Sequence, residues 1–118
     1  MQEKKFEVGV SVDENVCLVE LKGYLGHGLF EEFVPVIEEK LKAGFKEFVF
    51  DLSQVAMLES PGVACILTLT EKIVDDNQGH LVYSGLSPMN NKILEMVGVF
   101  LYANACENAQ EAIKECKV

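Results

Sequence analysis

FVFDLSQVAMLESPGVACILTLT, residues 48–70, decides the reading of the whole chain. It opens on FVFDL, residues 48–52, a short apolar and aromatic run of the kind that fills a strand covered on both faces. It closes on a second apolar run, from Val63 to about Val74, long enough for a helix. Between the two stands ESPG, residues 59–62. A strand passing into a helix through a tight turn is one unit of an α/β sheet, and in open sheets the turn at a strand's carboxyl end is where function commonly sits. Ser60 supplies the hydroxyl of that turn. Local chemistry also gives it a structural role. Serine is a favoured helix N-cap, and proline suits the first helical position because its missing N–H would be unsatisfied there anyway. Ser60 and Pro61 are therefore expected to cap the helix.

Working outward, Phe6, Val8, Val10 and Val12 alternate with Glu7, Gly9 and Ser11, the period of a half-buried strand. DEN at 13–15 supplies turn residues before VCLVELKG, so the first two strands are expected to form a hairpin. After Gly23 the period changes: Leu29, Phe33, Ile37 and Leu41 recur every four residues, which predicts an amphipathic helix ended by Gly44. The acidic stretch from Glu31 to Glu39 reads as its solvated face. Pro35 lies inside this pattern and predicts a late helix start or a kink. HLVYSG gives the next strand, Pro88 opens a third helix that Gly98 ends, and VFLY at 99–102 reads as a short strand leading to a last helix from about Asn108 to Cys116. The expected fold is a single α/β domain over residues 1–118, a mixed and largely parallel sheet covered by about four helices.

Composition narrows the function classes. Ten lysines, no arginine and nineteen acidic residues leave a net charge of -9, which repels nucleic acid and anionic lipid and favours a basic protein surface as partner. The cysteines at 17, 65, 106 and 116 include no CxxC pair, and His27 and His80 fall in no zinc-type spacing, so neither metal nor cofactor is expected. No leader precedes the first strand signal, and no apolar run nears the ~20 residues that span a bilayer. A reducing cytoplasm, free thiols and no membrane insertion are the expectation. An enzyme would need a paired base and nucleophile, a phosphate-cradling glycine loop or a metal motif, none of which the sequence offers. Cys65, one turn after Ser60 in an apolar run, reads as a buried structural thiol.

The order and spacing of these elements, with an apolar strand ending in Asp-Leu and then Glu59, Ser60, Pro61 and Gly62 at a helix start, resemble the STAS domain of bacterial anti-sigma factor antagonists. Gly23-Tyr24-Leu25 is similar to the family's turn into the first helix, and Gly85-Leu86-Ser87-Pro88 with Leu94 to Val99 to its late strand-to-helix passage. The resemblance spans about residues 6–115. It implies a regulator that binds an anti-sigma factor with serine kinase activity, with Ser60 as phosphoacceptor and release of a sigma factor when Ser60 is unmodified. The family's usual motif is aspartate, serine, serine or threonine, glycine, and its regulators often carry an acidic residue where this chain has Gly26.

The resemblance also places the loop holding His27 beside ESPG, so Tyr24, Gly26, His27, Glu59, Pro61 and Gly62 are the expected partner contacts. Gly62, in a first helical turn where glycine costs up to ~1 kcal/mol against alanine, implies close approach by a neighbouring element or by a partner. The protein is expected to be a monomer when isolated. The rival role within the same fold is a non-phosphorylated STAS subunit or adaptor of another complex, such as a lipid or anion transporter.

Overall fold

A computed structural model describes residues 5–117. The chain runs β1 (Phe6–Asp13), β2 (Val16–Leu25), α1 (Leu29–Lys42), β3 (Glu47–Leu58), α2 (Ser60–Glu71), β4 (His80–Ser84), α3 (Pro88–Met96), β5 (Asn104–Cys106) and α4 (Ala109–Lys117). The five strands form one sheet in sequence order. β1 and β2 are antiparallel, as the hairpin signal predicts, while β3, β4 and β5 each join parallel to the strand before. This is the mixed, largely parallel sheet with four helices that the alternating pattern implies.

Most of the core lies between α1, α2 and the sheet. Phe33 and Ile37 of α1 and Cys65, Ile66 and Leu69 of α2 are buried against Val19, Leu21, Phe50 and Tyr83. An aromatic chain crosses this layer: Phe33 to Phe50 at 5.2 Å, Phe50 to Tyr83 at 5.6 Å and Tyr83 to Phe100 at 6.5 Å between ring centroids. The Tyr83 hydroxyl, buried with its ring, is satisfied by Thr70 Oγ1 at 2.7 Å, and that hydroxyl also donates to the Ile66 carbonyl at 2.8 Å. On the opposite face, Ala112 and Cys116 of α4 cover Val16, Val49 and Val82.

Three expectations are corrected, and one of the two alternatives at Pro35 is removed. β3 does not stop near Leu52 but continues to Leu58, pairing with β2 to the end while β4 accompanies it only as far as Asp51. Its register with β2 shifts twice, between Glu20 and Lys22 and between Gly23 and Tyr24, and such irregularities break the two-residue period by which a strand is recognised. α1 starts at Leu29 and carries Pro35 inside it, so there is no late start. α2 already begins at Ser60 rather than at Val63, and a π-helical turn, Lys72–Asp76, follows it. The VFLY segment is not a strand: Val99–Leu101 is a 3-10 turn, and the last strand is Asn104–Cys106.

Candidate functional site

The carboxyl ends of β2 and β3 are pinned to each other just before α2 begins. The Glu59 N–H donates to the Leu25 carbonyl at 2.9 Å, and the Glu59 carbonyl accepts from the Val63 N–H at 2.9 Å to open the helix. Gly62 then passes so close to β2 that a β-carbon on it would stand 2.0 Å from the Leu25 oxygen. Only glycine fits there, and the close approach is to a neighbouring element; Gly62 itself is buried. Gly26, in the loop after β2, makes room of another kind: a β-carbon on it would meet Glu59 Oε1 at 2.2 Å, so the Glu59 side chain lies across this glycine. Two glycines thereby let β2, the loop at 26–28 and the start of α2 close on one another.

Ser60 is exposed and is the first residue of α2. The expected cap is corrected: the N-cap is Glu59, with φ -94° and ψ 162°, and no side chain caps the helix. The Ser60 hydroxyl hydrogen-bonds to nothing among the described residues, so the fold does not use it. Pro61, also exposed, lies in the first turn and contributes no N–H. His27 is exposed in the adjoining loop, with Gly26 buried beneath it. Of the residues singled out from sequence, Gly26, His27, Glu59, Ser60, Pro61 and Gly62 therefore gather at one end of the sheet.

Tyr24 joins them through a partner that the sequence reading missed. Tyr24 and Met57 are register partners on β2 and β3. Their neighbours Leu25 and Leu58 turn into the core, so these two point away from it, 47% and 48% exposed. Phe30, in the first turn of α1, is 40% exposed. The signal for Met57 was the parity of a strand running to Leu58, which the break after Leu52 concealed. Beneath this end, burial pushes the Cys65 thiol up to about 12, with the Glu31 carboxylate adding to the shift. A thiol protonated at neutral pH is no nucleophile, and Cys65 is fully buried, as a structural thiol should be. All four cysteines are free.

Asp51 ties the strands further back. It accepts from the Ser84 and Ser53 hydroxyls, both at 3.0 Å, and so links β3 to β4 where their pairing ends. No helix among the described residues is long and apolar enough to cross a membrane.

A family model described as the STAS domain matches residues 7–112. Three solved structures carry the likeness. The anti-sigma factor antagonist SpoIIAA in its unphosphorylated form superposes with a TM-score of 0.76 at 18% identity, covering 95% of this chain and 96% of that one. An anti-sigma factor antagonist from Mycobacterium paratuberculosis gives 0.80 at 17% identity over 96% and 95% of the two chains. A sulfate transporter family protein from Wolinella succinogenes gives 0.75 at 16% identity over 91% and 88%. At these identities the structural likeness speaks to the fold.

Proposed function

This chain belongs to the STAS domain family, and on that premise we propose that it is an anti-sigma factor antagonist, a regulator without catalytic activity of its own that is switched at Ser60. The observation that carries the reading is an exposed serine, at the start of a helix, whose hydroxyl the fold leaves unused. Polar side chains kept at the surface without an internal role are the ones free to serve a partner or a modifying enzyme. Tyr24 and Met57 supply apolar area beside the turn, the kind of contact that carries binding energy, and His27 and Glu59 supply a polar rim.

The departures from the family's motif are compensated in one respect. Where its regulators often place an acid, this chain has Gly26. The carboxylate of Glu59, one methylene longer than the usual aspartate, occupies the space a side chain at 26 would take. The loop keeps an acidic group by a different route. With a net charge of -9, the chain is matched to a partner that presents basic groups, and charge complementarity of this kind raises the association rate chiefly at low salt.

A phosphate on Ser60 would add about -1.5 to -2 charges. The amides and dipole at the start of α2 favour it, Glu59 opposes it, and an interface that buries a neutral hydroxyl would then have to desolvate a dianion. Partner binding is therefore on when Ser60 is bare and off when it is phosphorylated. The test is incubation with a cognate serine kinase of the anti-sigma type. One phosphate should enter the chain and none should enter Ser60→Ala, which still binds the partner. Phosphate on Ser53 or Thr68 would overturn the assignment.

The likeness to a sulfate transporter family protein supports a second reading, a STAS module that attaches to a transporter and is not phosphorylated. Pro61, which removes an amide from the anion-binding helix start, favours it. Co-purification separates the two: a kinase-type ATPase supports the first and a transport subunit the second.

A further inference from the structure

At the end of the sheet opposite Ser60, three side chains distant in sequence converge. Glu47 and His80 are register partners at the first residues of β3 and β4. They share the parity of Val49 and Val82, so they point to the face that α4 covers. Cys116 of α4 packs on those same valines. His80 Nδ1 lies 2.8 Å from Glu47 Oε1, and one ligand atom from each of Glu47, His80 and Cys116 falls within 4.8 Å of the others. Glu115, the residue before Cys116, sits 3.5 Å from His80 Nε2.

We propose that Glu47, His80 and Cys116 form a binding site for a divalent transition metal ion of the zinc class. A carboxylate, an imidazole and a thiolate are three ligands of the types zinc takes, and three protein ligands leave a fourth, tetrahedral position for water. Zinc bonds of about 2.0–2.3 Å need ligand atoms somewhat under 4 Å apart, so atoms now up to 4.8 Å apart draw in by about 1 Å while the hydrogen-bonded His80–Glu47 pair opens slightly.

The surroundings suit an ion. With an ion on Nδ1, Nε2 of His80 stands 3.5 Å from Glu115 Oε2, near enough for that carboxylate to turn toward it and orient a ligating histidine from behind. Glu115 is itself held by Asn104 Nδ2 and by the Cys106 thiol. Among the described residues, Lys46 and Lys117 have partners elsewhere: Lys46 donates to the Asn77 carbonyl, and Lys117 pairs with Asp13 and Glu14. Thiolate is the ligating form of cysteine, so coordination displaces the Cys116 thiol proton, which leaves to solvent as the sulfur-metal bond forms.

The test is titration of the metal-free, reduced protein with cobalt(II), followed by zinc competition. One cobalt per chain should bind with a thiolate-to-metal charge-transfer band, one proton should be released, and zinc should erase the band. Cys116→Ser should lose the band and Cys106→Ser should keep it. His80→Gln, a change at a side chain 38% exposed that leaves the core intact, should abolish saturable binding. Glu115→Gln should weaken it about tenfold or more. Absence of the band from the wild-type protein, its survival in Cys116→Ser, or undiminished binding by His80→Gln would each overturn the proposal.

Discussion

The two ends of the parallel sheet are built on opposite plans. At the carboxyl ends of β2 and β3, Gly62 lets the start of α2 close on the β2 backbone, Gly26 makes room for the Glu59 side chain, and the candidate groups are left outside: Ser60, His27, Tyr24 and Met57 are exposed. At the amino ends of β3 and β4, the polar groups face one another, with Glu47, His80, Glu115 and Cys116 connected beneath α4. The first end uses its packing for shape and leaves its polar groups at the surface, open to the proposed partner. The second keeps its polar chemistry within the molecule, where it can stabilise the fold or hold a small ion.

Perturbing the scaffold of the first end should have the largest effect. Gly62→Ala sets a β-carbon against the Leu25 carbonyl, a backbone atom that cannot swing away. The cost should reach about 3 kcal/mol, the upper part of the range for overpacking, and should outweigh the ~1 kcal/mol that alanine gains in a helix. Urea denaturation measures it; a neutral or stabilising result would mean that this end is less tightly closed than the geometry requires.

Next comes Ser60→Asp. Its fold should be intact, because the side chain is exposed and caps nothing. Binding of the basic partner should still weaken about 100-fold, equivalent to ~2.7 kcal/mol, when a second carboxylate sits beside Glu59 in the interface. Calorimetry with the co-purified partner reads this directly. Parent-like affinity would remove Ser60 from the interface.

A smaller effect concerns buried thiols at both ends. Cys65 and Cys116 have folded-state values raised from 9.0 to about 12. A raised value means that the neutral form is favoured in the folded state, so the stabilisation is complete below pH 9 and is lost as pH climbs from 9 toward 12. Under reducing conditions, stability should fall by roughly 1.5 kcal/mol between pH 7.5 and 9.5, about half of it from each thiol. Cys116→Ala should remove part of that slope without touching partner binding.

The smallest effect is Ser60→Ala. A serine N-cap replaced by alanine would cost ~1 kcal/mol, but Glu59 holds the cap position here, so the loss should stay below about 0.5 kcal/mol. A full-sized loss would restore the capping role.

Much of this protein was legible without coordinates. The change of period from Phe6–Val12 to Leu29–Leu41, the turn residues at 13–15 and the glycine after α1 were read from neighbours a few residues apart, and the hairpin, α1 and its end at Gly44 follow them. Ser60 at a strand-to-helix turn and the need for glycine at 62 were legible for the same reason, since helix starts and close approaches leave local marks. Where the sheet departs from a plain two-residue period, the local signal fails. The second half of β3 was lost among polar residues, with it the outward parity of Met57, and the last strand was placed a few residues early. Assigning Glu59 rather than Ser60 to the N-cap depended on where the Leu25 carbonyl holds the backbone. The meeting of Glu47, His80 and Cys116 was beyond any spacing rule, because strand register and the docking of α4 bring together residues 33 and 36 positions apart only after the sheet has formed.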